Sequence, residues 1–554
     1  MTRNTQRSDW KTRSAVIEGA GEVVSVSTDI LEAFAETVHR YPDRSAVVHN
    51  GRALSYLRLY TLVTETALSL GSRSTVVGVP VTRSPDTIAG LLGVLAAGGT
   101  YCPIDPTFPF QRRQTMLEAA GCHRMFADEF DPSSVAVSKL GRGANSVPTA
   151  PDQLPAFDSE LPAYILFTSG STGDPKPVVT PRGAIATTVQ SLRDLFDLTP
   201  ADRVLQFASL NWDTCFEEIL PTLTTGAALV IDDEAHKGSF PRFLRMIERE
   251  QVTVLNLPTA YWHELVRHLT DAEAGLPGCV RTMVIGGEAV NPAALADWCD
   301  LDTAGIRLVN TYGCTETTLI THAVDLHGPR APHFDVPWRE VERVPIGWPL
   351  PHVDERVTDD GELLIGGPAL ALGYRGLPEA TEARFPTVHG ERYFRTGDRV
   401  RRSPDGMLVP AGRLDHEVKV RGIRVDPSEV EAHIAGHPGV SAVAVVGARV
   451  AGRTALLGYV VARPDVAAES LHTDVLGYLR TRVPSHLVPS RITIVPELVH
   501  TTSGKVDRAG THQRHGAPDP ASRPTPAAPR TTSSEPPHPA ARLAVEAKES
   551  PDER

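Results

Sequence analysis

The 554-residue sequence predicts an α/β fold. A large N-terminal domain carries β-sheets with crossover helices plus a small β-barrel-like part, and a small mobile α+β C-terminal domain follows. Two observations predict it. Between residues 164 and 290, apolar strand-like runs at 164–167, 204–207, 228–231, 252–255 and 282–285 alternate with helical patterns. That alternation suits a parallel sheet with crossover helices. After about Gly361 the texture changes to short runs broken by Gly and Asp, such as "GELLIGG", "YFRTGDRV" and "GMLVPAGR". These read as hairpins.

The elements follow in chain order. Residues 31–49 and 54–68 read as helix, strand and helix. Residues 76–81 form a β-branched run, and 87–97 a helix. In the last third, 428–435 is a helix entry, with Asp426 or Ser428 as cap and Glu429 and Glu431 in its first turn. Residues 440–446 and 455–462 read as strands and 471–482 as a helix. The chain therefore divides into a flexible N-terminus (1–25), a large domain (26–414), a small domain (415–508, hinge near Asp415) and a disordered Pro/Ala/Ser-rich tail (509–554). The tail holds no Phe, Tyr or Trp with which to build a core.

The net charge of −12 argues against non-specific binding to nucleic acid or a membrane surface. Residues 1–21 lack a secretory apolar run, and the apolar stretch 88–99 is too short to span a bilayer. The six cysteines are scattered, with no CxxC and no Cys/His cluster. Neither a zinc site nor a disulfide framework is expected, and the expected location is cytoplasmic. Lysine is scarce, occurring only at Lys11, Lys139, Lys176, Lys237, Lys419, Lys505 and Lys548. A retained lysine is then a candidate for a role that the planar fork of arginine does not fill.

One stretch, "LFTSGSTGDPK" at residues 166–176, has the composition of a phosphate loop. It is not a Walker A loop: Pro175 stands five places after Gly170, and no Ser or Thr follows Lys176. Its chemistry still favours phosphate. Thr168, Ser169, Ser171 and Thr172 supply hydroxyls, Gly170 and Gly173 allow close backbone approach, and Lys176 adds a positive charge. A plain polar turn after a strand is the alternative, and the lysine at this offset argues against it.

The loop closely resembles the signature of the AMP-forming adenylating enzymes, which include acyl-CoA synthetases, luciferases and the adenylation domains of nonribosomal peptide synthetases. The resemblance runs from about residue 31 to 508, in the family's motif order. It is carried by "LSYLRL", "VLAAGGTYCPIDPTFPFQRR", "NWDTCFEEI", "NTYGCTETT", "GELLIGGPALALGY", "YFRTGDRV", "GRLDHEVKVRGIRVDPSEVE", "VPSHLVP" and "TSGKVDR". It implies ATP-dependent conversion of a carboxylate to acyl-AMP, with ATP and Mg²⁺ as cofactors, followed by transfer to a thiol. The loop would hold the β- and γ-phosphates. Glu316 would ligate Mg²⁺, and Thr315 would donate to the α-phosphate. Tyr312 would stack on adenine, with Asn310, Thr311, Gly313 and the backbone of Gly287, Glu288 and Ala289 around it. Asp398 would take the ribose hydroxyls, Arg413 would add a nucleotide contact, and Asp415 would be the hinge. Lys505 would be the catalytic lysine, reaching in from the small domain. Lys419 and Arg421 lie in the stretch that, by resemblance, helps build the thiol-transfer state. Three positions depart from the pattern: Cys314 where proline is usual, Pro177 where glycine is usual, and Pro410 where an aromatic is frequent.

By the same resemblance, Asp213 pairs with the ammonium of an amino-acid substrate; a helix cap is the alternative. The selectivity pocket would comprise Asp213, Thr214, Glu217, Asn256, Val284, Gly286, Thr311, Leu319, Ile320 and Lys505. Gly286 and Thr311 leave room for a long side chain, and Asn256 adds an acceptor. Glu217 is a second carboxylate there, unless it points outward beside Glu218. Desolvation penalises it unless a cation compensates. The expected substrate is therefore basic: ornithine, lysine, β-lysine or an arginine-like residue. No carrier module is recognised after Arg508, nor a condensation domain before Leu31. The expected acceptor is the phosphopantetheine thiol of a separate carrier protein, in nonribosomal peptide biosynthesis. A small MbtH-like helper protein is a further partner to consider; nucleic acid and membrane are not expected. The competing readings are a CoA ligase for small amino or carboxylic acids, and a degenerate nucleotide-binding scaffold. The scaffold reading predicts loss of Lys505, Glu316 or Asp398, and all three are present.

Overall fold

The computed structural model describes residues 29–71, 75–126, 136–138, 158–170, 174–415, 417–420, 422–450, 453–464, 466, 468–501 and 506–516. The expected flexible N-terminus, most of the expected tail, Ser171, Thr172, Gly173, Arg421 and Lys505 lie outside the described residues.

Two sheets with helices between and outside them form the N-terminal part. The first has nine strands, in the order Trp348–Pro349, Ile320–His327, Arg307–Gly313, Thr282–Gly286, Val254–Pro258, Arg203–Leu205, Ala228–Ile231, Ser45–His49 and Arg52–Ser55. Its central strands are parallel, as the crossover helices require. The second sheet runs Gly373–Tyr374, Lys176–Pro181, Pro162–Thr168, Thr100–Ile104, Val76–Pro80, Arg124–Phe126 and Ala136–Ser138.

This corrects one expectation. The run at 164–167 does not join the strands at 204–285 in one parallel sheet. It lies in the second sheet and pairs antiparallel with Lys176–Pro181. The run expected at 252–255 is placed two residues later, at Val254–Pro258.

Helices Ile30–Arg40, Tyr56–Leu70, Pro85–Ala96, Arg182–Phe196 and Thr214–Leu223 fill the space between the two sheets. Phe34, Leu59, Leu92, Leu192 and Phe216 pack in one cluster with Val47, Leu229 and Val309 of one sheet and Val79, Tyr101 and Tyr164 of the other. A second core lies on the far face of the nine-stranded sheet, built on Trp262, Trp298, Phe243 and Met283, all at most 1% exposed. Strands buried on both faces explain why the runs read as continuously apolar rather than alternating.

The expected hairpins form a five-stranded antiparallel sheet of Asp354–Val357, Glu362–Gly366, Glu391–Arg402, Thr387–Val388 and Leu408–Arg413. Beyond it come a two-stranded hairpin (Val418–Val420, Ile423–Val425) and a three-stranded sheet (Val440–Val450, Arg453–Ala462, Arg491–Ile494). With helices Pro427–Ala435 and Ala468–Arg480 these build separate cores around Val430, Val460 and Val475, and around Ala444 and Tyr459. Asp426 caps the first helix, its carboxylate accepting from Ser428 N. The helix Arg508–His515, with Thr511 fully buried, continues past residue 508. The tail boundary expected at 509 is therefore too early. Tyr459 Oη lies 2.6 Å from His512 Nδ1, and the Arg508 guanidinium reaches Glu431 at 2.6 Å; both anchor this last helix. All six cysteines are free thiols, and no helix among the described residues is long and apolar enough to cross a membrane.

Candidate active site

The site lies where the ends of strands Pro162–Thr168, Thr282–Gly286 and Arg307–Gly313 meet the start of helix Thr214–Leu223. A strand end directs its last side chains beyond the sheet, so side chains from distant parts of the sequence meet there.

The phosphate loop connects two antiparallel strands, with Thr168 directly opposite Lys176. Lys176 Nζ sits 5.7 Å from the centre of the Tyr374 ring, and Tyr374 Oη donates to Glu316 Oε1 at 2.8 Å. Thr168 Oγ1 is 3.5 Å from the same oxygen. Glu316 Oε2 is buried with no hydrogen-bond partner among the described residues. A buried carboxylate oxygen lacking a donor is the kind of ligand a hard cation takes, so Glu316 fits the Mg²⁺ expected there.

Around the nucleotide residues, Asp398 joins two partners: Tyr312 Oη donates to Oδ2 and Arg413 Nη1 to Oδ1, each at 2.6 Å. Arg413 also holds Asp415 (2.6 Å) and Glu417 (2.6 Å). These three carboxylates push its guanidinium pKa up against the opposing effect of burial. Asn310 donates to Pro345 O at 2.8 Å, so one of its two amide N–H donors is engaged. Gly287 takes φ +86°, and Glu288 Oε1 accepts from Gly422 N at 2.5 Å. Ala289 is exposed. One face of the Tyr312 ring carries the Lys419 ammonium, 5.5 Å from the centroid.

Gly313 is needed for a close approach: a Cβ there would lie 1.9 Å from Leu319 O. The chain turns back through Thr318 (φ +56°) and Leu319 (φ +69°). A branched side chain held in the left-handed region is unusual and is stabilised by its surroundings; Leu319 is 2% exposed.

Of the residues expected to line a selectivity pocket, Asp213 occupies the N-cap position of its helix but makes no capping hydrogen bond. A cap therefore does not account for it. Burial pushes its carboxyl up to about 6, Glu316 acts in the same direction, and the Thr315 hydroxyl opposes. Glu217 is 8% exposed and accepts from Asn256 Nδ2 at 2.8 Å. It does not point outward. Asn256 here acts as donor to Glu217, where the sequence reading took it for an acceptor. Glu218, also fully buried, turns the other way and accepts from the backbone N–H groups of Phe207 (3.1 Å) and Ala208 (3.0 Å). Burial first, and then Asp213, push the Glu217 carboxyl far above the usual carboxylate range. No ion pair reaches it among the described residues. Thr214 is half-buried, and Val284, Ile320 and Thr311 are buried. Gly286 is glycine for a packing reason as well as for room: a Cβ would meet Thr311 Oγ1 at 2.4 Å.

Sequence reasoning missed five residues that the fold brings here: Tyr374, Arg424, Glu417, Glu429 and Arg112. Tyr374 holds Glu316. Arg424, from the hairpin after residue 415, contacts Glu316, Glu417 and Thr396 O. Glu429 reaches Arg112, with its Oε1 2.7 Å from Nη2. Arg424, Glu417 and Glu429 lie within the matched stretch "GRLDHEVKVRGIRVDPSEVE", but only their non-local partners reveal a role.

The fold and the residues gathered here fit an AMP-forming α/β ligase. The AMP-binding enzyme model matches residues 34–375 and the AMP-binding enzyme C-terminal domain model matches 429–505. The chain belongs to the AMP-binding enzyme family. It is 38% identical over 520 residues to the isonitrile lipopeptide synthase of Streptomyces coeruleorubidus, covering 90% of this chain and 34% of that one. The chain thus spans about a third of that relative's length. Among solved structures it resembles NpsA-ThdA, an artificially fused adenylation–PCP di-domain NRPS from Klebsiella oxytoca (TM-score 0.73, 25% identity, 85% of this chain, 94% of that chain). It shares the fold of o-succinylbenzoate CoA synthetase MenE from Bacillus subtilis (TM-score 0.75, 19% identity, 87% and 98%).

Proposed function

We propose that this chain activates an amino acid with a basic side chain as aminoacyl-AMP and passes it to the phosphopantetheine thiol of a separate carrier protein. The observation that carries this reading is a pair of carboxylates, Asp213 and Glu217, close enough to act on one another, with no counter-cation at Glu217 among the described residues. A buried carboxylate without a cation is costly, and a substrate ammonium at each compensates both.

In the first step the substrate carboxylate attacks the α-phosphorus of ATP in line and pyrophosphate leaves. The work of the protein is positioning and charge neutralisation. Asp213 orients the α-ammonium and Glu217 the side-chain ammonium. The phosphate loop and Lys176 hold the departing phosphates, and Thr315 donates to the α-phosphate. Asp398 keeps lone pairs for the ribose hydroxyls beside its bonds to Tyr312 and Arg413. Lys505 bridges substrate carboxylate and nucleotide. A magnesium ion at Glu316 would supply charge neutralisation at the phosphates. In the second step the thiolate attacks the acyl carbonyl and AMP leaves. A motion of residues 415–508 about Asp415 would exchange the groups facing the site between the steps.

A CoA ligase is the second reading, favoured by the MenE-like fold. ATP–pyrophosphate exchange with ornithine or lysine, compared with their deaminated acids, tests the amino-acid claim. Exchange is expected only with the amino acids; equal rates with the deaminated acids contradict it. Product mass then separates a carrier-bound thioester from a CoA thioester.

A further inference from the structure

The C-terminal part of the chain brings two charges onto the phosphate-handling residues. Arg424 Nη1 lies 3.7 Å from Glu316 Oε2, and both atoms are buried with no hydrogen-bond partner among the described residues. Glu429, at the start of helix Pro427–Ala435, is fully buried. Its Oε1 pairs with Arg112 at 2.7 Å, and its Oε2 accepts from Gly170 N at 3.3 Å. Ser169 Oγ donates to Arg424 O at 2.5 Å. A cation therefore stands at the carboxylate assigned to the metal. A carboxylate stands at an N–H of the loop assigned to phosphate.

We propose that Arg424 and Glu429 are a charge mimic of magnesium pyrophosphate, so that docking of the C-terminal segment and binding of magnesium pyrophosphate exclude one another. This rests on the assignment of Glu316 and the 168–176 loop to metal and phosphates. A metal ion at Glu316 Oε2 meets like-charge repulsion from the Arg424 guanidinium, and a phosphate at the Gly170 N–H meets it from the Glu429 carboxylate. The docked arrangement then forms only once pyrophosphate has left, which gives the two half-reactions their order. By linkage, each partner weakens the other by the same factor, typically ~5–150-fold.

The test uses magnesium pyrophosphate as the probe and the full chain. Hydrogen exchange is followed over residues 418–425, whose hairpin docks through Gly422 N to Glu288. Calorimetry gives the probe's affinity for wild type, Glu429→Gln and Arg424→Ala. Exchange over 418–425 is expected to speed up when the probe binds, and each variant is expected to bind it ~5-fold or more tighter. Glu429→Gln keeps the shape and one of the two acceptor oxygens but removes the negative charge, so it tests Glu429 even if Arg424→Ala misfolds. If the probe binds wild type while exchange over 418–425 and the Glu429→Gln affinity stay unchanged, the mimicry is overturned and the phosphate-loop assignment stands. If the probe does not bind at all, the assignment itself falls, and the mimicry with it.

Discussion

Glu217→Gln is expected to lower kcat/KM for a basic amino acid by two to three orders of magnitude and to leave neutral amino acids of similar length little changed. Removing one partner of a buried charge pair costs about 3–5 kcal/mol, and each 1.4 kcal/mol or so is tenfold. Glutamine keeps the shape and can still accept from Asn256, so the loss reports charge. A second consequence concerns stability. Burial and Asp213 raise the folded-state pKa of Glu217 above its ordinary 4.5. The unfolded chain therefore releases this proton at lower pH than the folded one. The group's contribution to stability is full below about pH 4.5 and is lost as pH rises through the folded value. Substrate-free Glu217→Gln should melt at a higher temperature than wild type at neutral pH, the difference disappearing in acid. An unchanged melt at both, with unchanged selectivity, places Glu217 outside substrate recognition.

Lys505→Ala should lower amino-acid-dependent pyrophosphate exchange by ~10²–10³-fold, the loss typical of removing one group that stabilises transition-state charge. Its thermal melt should match wild type, which separates a loss of chemistry from a loss of fold. Exchange at the wild-type rate would remove Lys505 from the mechanism.

Much of the fold was readable because period and burial coincide. The helices Ile30–Arg40, Tyr56–Leu70 and Pro85–Ala96 fall where the apolar pattern places them. The division into two sheets was not readable, because an apolar strand carries no mark of its neighbour. The run at 164–167 looks like those at 228–231 and 282–285, yet pairs elsewhere. At the site, Glu217 stood out as a carboxylate at a position that is otherwise free to be apolar. Its inward orientation needed the backbone: Glu217 and its neighbour Glu218 are chemically identical, and only Asn256 on one side and two N–H groups on the other separate them. Arg424 and Glu429 were visible as residues, but their roles depend on partners more than a hundred positions away. The left-handed Thr318 and Leu319 gave no signal, since neither residue type favours that region.

The most direct measurement is an ATP–pyrophosphate exchange panel of ornithine, lysine, β-lysine and arginine against leucine, phenylalanine, glutamine and glutamate, on the wild-type chain. A basic α- or β-amino acid should give the highest kcat/KM of the panel. Leucine or phenylalanine outrunning every basic substrate would contradict the pairing of Glu217 with a side-chain cation.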